Sequence, residues 1–312
     1  MTDAALVLSG VRKAYGKRVA LAGLDLTAPR GAITGLVGPN GAGKTTCFGI
    51  VGGLLAPDAG HVDVLGRGRF DPATQAGRLG LLPQDAELPG HARVDGMLRY
   101  FARLQGLTRA AAEREVARVL DLMALRDRAH SRVRELSHGM RRRVAVAQAL
   151  LGDPELVLLD EPTSGLDPHL VVSVRDVLRA QRDRGISLVV SSHVLSDLEA
   201  ICDHVVFIEA GRAIKSGALA AVTGRGRIVR FALARPLVLA TLQARLPDLV
   251  LHGNGSQLVV EAPPGSEIGA LNQRVLRELL ALDAGVLEMR LGHSLEEAYL
   301  DERGRSNLEP ST

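Results

Sequence analysis

The sequence predicts an α/β fold with a mixed sheet, an antiparallel β lobe and a helical lobe, followed by a small α+β domain. Short apolar segments of strand character alternate with helical segments, which favours a parallel sheet. Between residues 93 and 151 the apolar residues recur at helical spacings of three and four. A second alternation of strand and helix starts after residue 222, beyond a segment rich in Gly and Arg.

The first domain is expected over residues 1–222. The segments ALVLSGV and VALAGLDLTA predict two antiparallel strands, and AITGLVG predicts a buried strand that leads through a glycine-rich turn into a helix over residues 44–54. The helical lobe is predicted over about residues 90–152. After it, the segments ELVLLDEP, ISLVVSSH and HVVFIEAG predict further strands, separated by helices.

The second domain is expected over residues 223–303. Strands are predicted in RIVRFALA and VLEMRL, helices in PLVLATLQARL and SEIGALNQRVLRELLALDAG, and a hairpin around Asn254 and Gly255. Ser294 and Glu297 have the spacing of a capping box, which predicts a final helix. Residues 304–312 are expected to form a disordered tail.

Charge and cysteine content limit the classes of partner and compartment. The 38 basic residues nearly balance the 35 acidic ones, so we expect no nucleic-acid partner. Cys47 and Cys202 lie far apart without metal-ligand spacing, which predicts two reduced, buried residues. The N-terminus lacks a secretory signal, and no stretch reaches the roughly 20 apolar residues of a membrane span. Any membrane role is therefore expected to act through a partner.

The segment GPNGAGKTT is typical of a phosphate-binding loop. Its glycines allow backbone N–H groups to point at phosphate oxygens, and the helix that follows adds the positive end of its dipole. We expect Lys44 to bridge the β- and γ-phosphates and Thr45 to ligate Mg²⁺. The predicted nucleotide-binding residues of this loop are Gly38, Pro39, Asn40, Gly41, Ala42, Gly43, Lys44, Thr45 and Thr46.

Two carboxylates end the apolar segment ELVLLDE. Asp160 is predicted to help bind the metal ion, and Glu161 is predicted to polarise the attacking water. A P-loop kinase has to exclude water from the γ-phosphate, so the second acid favours a hydrolase.

These motifs, with LSHGM at residues 136–140 between them, resemble the ATP-binding subunits of ABC transporters over roughly residues 4–220. The resemblance implies a P-loop ATPase with ATP and Mg²⁺ as ligands. Two alternatives fit the residues less well. A soluble ABC ATPase of DNA repair or translation would carry a coiled-coil insert or two cassettes in tandem, and a regulatory module would have lost Lys44 or Glu161.

The resemblance also implies roles for single residues within one subunit. Tyr15 is similar to the aromatic residue that stacks on adenine. Gln84 is similar to the glutamine that reaches Mg²⁺ and the attacking water, which adds it to Thr45 and Asp160 as a metal ligand. His193 is similar to the histidine that contacts the γ-phosphate.

Other roles implied by the resemblance concern a second subunit. Ser137 and Gly139 are expected to cap the γ-phosphate of ATP held by the other subunit, and Asp167 closes the SGLD segment that passes between two such domains. His138 and Met140 depart from the glycine and glutamine most common in the family. We expect the imidazole of His138 to point outward and the run Arg141–Arg143 to form a solvated helix face.

The chain contains one set of these motifs, and the signature is expected to act on the nucleotide of another subunit. The resemblance therefore implies a dimer, expected to be a homodimer, in which two ATP molecules are sandwiched between subunits arranged head to tail. The resemblance further implies an integral membrane permease as partner, with this subunit at the cytoplasmic face of the cell membrane. The C-terminal domain, which ends in HSLEEAYL, resembles the accessory tails of drug-resistance and related exporters. The sequence does not identify the transported substrate.

Overall fold

The computed structural model describes residues 3–263 and 266–306 of the 312-residue chain. These residues divide into two compact units, of which the first ends at Ser216 and the second begins at Gly217. The division lies somewhat before the boundary that the sequence predicts after residue 222. Each unit has its own cluster of buried apolar side chains.

In the described part of the chain, the first unit contains a three-stranded sheet, a six-stranded sheet and six α-helices. Its strands are β1 (Ala4–Tyr15), β2 (Arg18–Pro29), β3 (Ile33–Val37), β4 (Ala59–Val64), β5 (Leu79–Leu82), β6 (Leu156–Asp160), β7 (Ser187–Ser191), β8 (His204–Glu209) and β9 (Arg212–Ala218), the last crossing the division. Its helices are α1 (Lys44–Val51), α2 (Val94–Leu104), α3 (Arg109–Leu122), α4 (His138–Ala149), α5 (Pro168–Asp183) and α6 (Leu195–Ile201).

The smaller sheet has the strand order β2-β1-β4, and both of its strand pairs are antiparallel. The larger sheet has the order β5-β6-β7-β3-β8-β9, and the four strand pairs from β5 to β8 are parallel. Strands β3, β6 and β7 are buried at every position, which explains their continuous apolar sequences. Helices α2, α3 and α4 form the helical lobe. The predicted fold class is therefore confirmed.

Parallel pairing brings the carboxyl ends of β3, β6 and β7 to one edge of the sheet. The glycine loop follows β3, Glu161 follows β6, and His193 lies two residues beyond β7. Three segments that are far apart in the chain thus meet at one edge, which is where open α/β sheets bind ligands.

Several element bounds differ from the prediction. Helix α1 ends at Val51 rather than residue 54, because Gly52 caps it and Gly53 turns the chain with φ of 72°. Strands β4, β5 and β9 were not predicted. β4 and β9 contain few buried apolar residues, and β5 has only four residues, so the periodic signal was weak.

The second unit continues from the short helix α7 (Leu219–Val222) with a βαββαβ arrangement. Its strands are β10 (Ile228–Leu233), β11 (Val250–Gly253), β12 (Gln257–Glu261) and β13 (Val286–Leu291), and its helices are α8 (Leu239–Arg245), α9 (Ile268–Ala281) and α10 (Leu295–Ser306). The sheet is antiparallel with the order β11-β12-β10-β13, as in ferredoxin-like domains.

The predicted capping box starts α10. The backbone N–H of Ser294 donates to Glu297 Oε2 at 2.9 Å, and the N–H of Glu297 donates to Ser294 Oγ at 3.1 Å. Because α10 continues to Ser306, residues 304–306 of the predicted tail are helical, and residues 307–312 lie outside the described part of the chain. Among the described residues, none of the helices combines the length and the apolar composition that crossing a membrane requires.

Candidate active site

A cavity of about 410 Å³ lies at the sheet edge where β3 and β6 end. It brings together most of the residues predicted to bind nucleotide and metal, and the predicted catalytic residue Glu161. They are Tyr15, Asn40, Gly41, Gly43, Lys44, Thr45, Thr46, Gln84, Asp160 and Glu161. Arg18 and Ala20 of β2 also line this cavity and were missed in the sequence, since an exposed arginine at the start of a strand has no distinguishing pattern.

The glycine loop approaches β2 so closely that only glycine fits at position 43. Gly43 has φ of 108°, and a Cβ atom there would lie 2.6 Å from the carbonyl oxygen of Ala20. The next residue, Lys44, donates from Nζ to the carbonyl oxygens of Gly38 and Pro39, at 2.7 and 3.2 Å. Burial lowers the pKa of Lys44, while the negative charges of Glu161 and Asp160 act in the opposite direction.

Three oxygen atoms of the predicted metal ligands converge. Thr45 Oγ1 donates to Asp160 Oδ2 at 2.8 Å and lies 3.4 Å from Gln84 Oε1. The second carboxylate oxygen of Asp160 accepts a hydrogen bond from Ser191 Oγ. Hydroxyl, amide and carboxylate oxygens are the hard ligands that Mg²⁺ prefers, so this group fits a Mg²⁺ ion that also binds phosphate and water.

Glu161 has an unusual backbone conformation. Its φ is +55°, in the left-handed region, and the residue is only 7% exposed. The backbone N–H donates to the carbonyl oxygen of Ser191 at 3.1 Å, which holds the turn after β6 against β7. A left-handed non-glycine residue costs about 1 kcal/mol or more, and such strain is typical of functional positions.

His193 lies beside Glu161. Its Nδ1 atom is 2.7 Å from Oε2 of Glu161, and its side chain is 61% exposed. An ionised carboxylate can only accept hydrogen bonds, so Nδ1 is the donor in this contact. The acid and the histidine that were predicted separately therefore form a pair.

A second cavity of about 400 Å³ adjoins the first and shares three of its residues. Its lining consists of Asn40, Gln84, Asp85, His138, Arg142, Glu161, Ser164 and His193. His138 is exposed and lines this cavity, and its ring packs against the backbone of Gly165, where a Cβ atom would lie 2.6 Å from Nε2. The imidazole is thus close to the SGLD segment. The expectation that the imidazole points away from the nucleotide stays a prediction.

The prediction of a solvated face over Arg141–Arg143 is wrong. Arg141 donates to the carbonyl oxygen of Leu136 at 2.7 Å, and Arg143 donates to that of Met123 at 2.7 Å. Arg142 is buried, only 9% exposed, and its guanidinium contacts the backbone near the acid pair. Consecutive helix residues point to different sides, so each guanidinium reaches carbonyl groups at the end of a different segment.

The predicted residues Ser137, Gly139 and Asp167 line neither of these two cavities of the described chain. Ser137 caps α4, where its Oγ accepts a hydrogen bond from the N–H of Met140 at 3.2 Å. Gly139 packs closely on the SGLD segment, since a Cβ atom there would lie 3.3 Å from Leu166 Cδ2. Action of these residues on the nucleotide of another subunit stays a prediction.

Buried polar contacts extend the site to α5 and α6. Asp197 of α6 is 8% exposed and accepts a hydrogen bond from Thr163 Oγ1 at 2.8 Å. Arg175 of α5 forms an ion pair with the same carboxylate. The chain just before the SGLD segment is therefore tied to the helix that follows His193.

Comparisons with known proteins identify the family of the chain. The ABC transporter family model matches residues 21–164. The Nod factor export ATP-binding proteins I of Cupriavidus pinatubonensis and Cupriavidus metallidurans are each 40% identical over 215 residues, which cover 69% of this chain and 66% and 71% of those proteins. The daunorubicin resistance ATP-binding protein DrrA3 of Streptomyces coeruleorubidus is 38% identical over 232 residues, 73% of each chain.

Solved structures support the same fold. A structure of the ATP binding subunit of an ABC transporter superposes with a TM-score of 0.64 at 28% identity, over 70% of this chain and 92% of that one. The dimeric post-hydrolysis state of the ATP-binding cassette MJ0796, bound to ADP and Pi, has a TM-score of 0.64 at 22% identity, over 69% and 98% of the two chains. The chain therefore belongs to the family of ABC transporter ATP-binding subunits, and it is an ATPase of that family.

Proposed function

We propose that two copies of this chain hydrolyse Mg²⁺-ATP in sites that both subunits complete, and that their closure drives a separate membrane permease. The observation that carries the proposal is the meeting of Lys44, the Thr45–Asp160–Gln84 oxygens and the Glu161–His193 pair in adjoining cavities. A fixed cation, metal ligands and a paired carboxylate are the groups that phosphoryl transfer to water requires.

Each group has a separate task in the proposed reaction. Lys44 and the backbone N–H groups of the glycine loop bind the phosphates, and the exposed ring of Tyr15, which lines the same cavity, stacks on the adenine. Thr45, Asp160 and Gln84 would hold Mg²⁺, which neutralises charge on the transferred phosphoryl group. The fold already brings these oxygens together, because Thr45 Oγ1 lies 2.8 Å from Asp160 Oδ2 and 3.4 Å from Gln84 Oε1.

Glu161 is the proposed general base for the attacking water. Its Oε2 is engaged by His193 Nδ1 at 2.7 Å, which leaves Oε1 as the oxygen that takes the proton. The hydrogen bond restricts rotation of the carboxylate, so that Oε1 is held in one direction. His193 thereby orients the base, and its exposed ring is available to the γ-phosphate.

The position of Ser137 and Gly139 outside both cavities of their own chain supports the proposed dimer. The Oγ of Ser137 and the start of α4 offer a hydroxyl and N–H groups to an anion supplied by the other subunit. Relatives named for Nod factor export and for daunorubicin resistance support an exporter. The permease would hold this subunit at the cytoplasmic face of the membrane.

The Glu161→Gln variant tests the proposal. We expect its steady-state ATP hydrolysis to fall by about 100-fold or more, because the amide cannot accept the proton of water. Equilibrium ATP affinity should change little, and ATP should then produce a stable dimer in size-exclusion chromatography. Glu155→Gln, just before the opposite end of β6, is the matched control and should hydrolyse ATP like the parent.

Near-parental turnover by Glu161→Gln would contradict the assignment of the base. Turnover that persists in the parent after Mg²⁺ is chelated would contradict the metal site. The permease is tested by co-purification from detergent-solubilised native membranes, and recovery of the tagged subunit without an integral membrane protein would reject that partner.

A further inference from the structure

The guanidinium group of Arg142 contacts three backbone carbonyls of the active site. Its Nη2 donates to the carbonyl oxygens of Asp160 at 2.5 Å and Glu161 at 2.6 Å, and its Nη1 donates to that of Gln84 at 3.2 Å. These carbonyls belong to two segments that are far apart in the chain, since Gln84 follows β5 and Asp160 ends β6. One side chain thus joins both segments.

The contacts have the geometry that suits arginine. The planar guanidinium presents its donors in fixed directions, so it can hold several carbonyl oxygens at set distances. A lysine ammonium is a point charge on a flexible stem and cannot span all three positions equally well. Loss of the guanidinium would remove the donor of two buried hydrogen bonds, to the carbonyl oxygens of Asp160 and Glu161, which is costly. The carbonyl oxygen of Glu161 would keep the N–H of Ser164 at 3.1 Å.

Nearby carboxylates offset part of the cost of burying the Arg142 charge. Burial lowers the pKa of Arg142, while the carboxylates of Asp160, Glu161 and Asp85 act in the opposite direction. The guanidinium lines the second cavity together with Gln84 and Glu161. It therefore lies beside Glu161, and its donors are directed to the backbone rather than into the cavity.

Arg142 belongs to α4, the helix that Ser137 caps and that carries Gly139 in its first turn. A helix of twelve residues moves as one body over so short a distance, so a shift of its first turn also moves the position of Arg142. Glu161 is the residue with the left-handed backbone, and such a conformation persists only when its surroundings hold it.

We infer that Arg142 is a positioning residue for hydrolysis, through which α4 holds the backbone of Glu161 and Gln84 in register for attack by water. The inference rests on the proposed function of the site. Arg142 touches neither the nucleotide nor the reacting water in this scheme. It acts through Glu161 and Gln84, which do contact them.

The test compares Arg142→Gln and Arg142→Lys with Arg143→Gln, in the full chain. Arg143 is the matched control because it also donates to backbone carbonyls from α4, but at Met123 and Ala124 in the helical lobe. Thermal midpoint, equilibrium ATP affinity, kcat and KM are measured for each protein, at a temperature well below every midpoint.

For Arg142→Gln we expect kcat to fall by about 10- to 100-fold, as for a small misplacement of a catalytic group, with ATP affinity within about threefold of the parent. Arg142→Lys should regain part of the lost kcat. Arg143→Gln should lower the thermal midpoint while leaving kcat within about twofold.

Three results would overturn the inference: an unchanged kcat in Arg142→Gln, a loss of activity that lies entirely in ATP affinity, or an equal fall of kcat in Arg143→Gln. If Arg142→Gln does not fold, Arg142→Lys decides, and a parental kcat in that variant contradicts the inference. A parent protein without ATPase activity would instead reject the proposed function itself.

Discussion

Nδ1 of His193 lies 2.7 Å from Oε2 of Glu161, although the two residues are 32 positions apart in the chain. Each follows the end of a buried parallel strand, and the two strands are neighbours in the sheet. The contact uses Nδ1 and not Nε2, and the side chain of His193 is 61% exposed. This division of the two nitrogens can be tested by substitution.

Substitution of His193 by asparagine or glutamine distinguishes the roles of its two ring nitrogens. The side-chain amide introduced by His193→Asn can occupy the place of Nδ1 and donate to Glu161, whereas the longer side chain introduced by His193→Gln imitates Nε2. We expect His193→Asn to retain more kcat than His193→Gln, and His193→Ala to lose about 100-fold. Single-turnover ATP hydrolysis ranks the rates of the three variants. A higher rate in His193→Gln than in His193→Asn would show that orienting Glu161 is not the main role of His193.

The close approach of the glycine loop to β2 predicts that Gly43→Ala prevents nucleotide binding. The new Cβ atom would meet the carbonyl oxygen of Ala20 at 2.6 Å and Leu21 Cδ2 at 2.7 Å, in addition to the strain of φ at 108°. Gly16→Ala is the control for strain alone, because φ is +59° and no atom lies within 4 Å. Equilibrium ATP binding should be lost only in Gly43→Ala, and equal behaviour of the two variants would contradict the packing argument.

Arg18 is predicted to contribute to nucleotide affinity. It lines the first cavity, and its Nη2 would lie 3.5 Å from a Cβ atom at Gly41. We expect Arg18→Ala to weaken ATP binding by about fivefold at low salt, and by less at high salt because exposed charges are screened. The neighbouring Lys17, which does not line the cavity, provides the control. Equal losses in Lys17→Ala and Arg18→Ala would point to net charge rather than to contact.

The contact between His138 and Gly165 predicts a coupled pair of substitutions. Gly165→Ala should lower the ATPase rate, because its Cβ atom would meet the His138 ring at 2.6 Å and because φ is +70°. His138→Gly removes the first cause but not the second, so the double variant should regain part of the rate. A double-mutant cycle measures the coupling between the two positions. Strictly additive effects would contradict the prediction, because they would mean that the His138 ring moves aside without cost.

A pH dependence is predicted in the second unit. Desolvation raises the pKa of Glu297, but the N–H of Ser294 and the side chain of Arg230 outweigh it, so that the pKa lies below its ordinary value of 4.5. A depressed pKa contributes stability that is complete above pH 4.5 and is lost as pH falls through the lower folded value.

We therefore expect Glu297→Gln to destabilise the second unit at neutral pH, and the difference from the parent to shrink as the pH is lowered below 4.5. Unfolding of the full chain between about pH 3 and pH 7 measures this, with the exposed neighbour Glu296→Gln as control. A difference that does not change with pH would contradict the role of the Glu297 charge.

Much of the fold could be predicted because its signals are local. The buried strands β3, β6 and β7 are continuous apolar runs, and the glycine loop, the acid pair and the capping box at Ser294 depend on neighbouring residues. The strands β4, β5 and β9 were missed because they are short or carry few buried apolar residues, and pairing with distant strands forms them.

The sequence by itself predicted the phosphate-binding loop, Thr45 and Asp160 as metal ligands and the acid that follows β6, since their chemistry follows from residue type and spacing along the chain. The role of Gln84 was implied by the resemblance to the family. Only the tertiary structure decided that His193 meets Glu161, that Arg18 lines the cavity, and that Arg142 is buried among three carbonyls. The physical reason is that a long polar side chain finds its partner across the sheet edge, where segments tens of residues apart come into contact. Charge and periodicity along the chain do not indicate which partner such a side chain contacts. By sequence alone, Arg142 would suit a solvated helix face equally well.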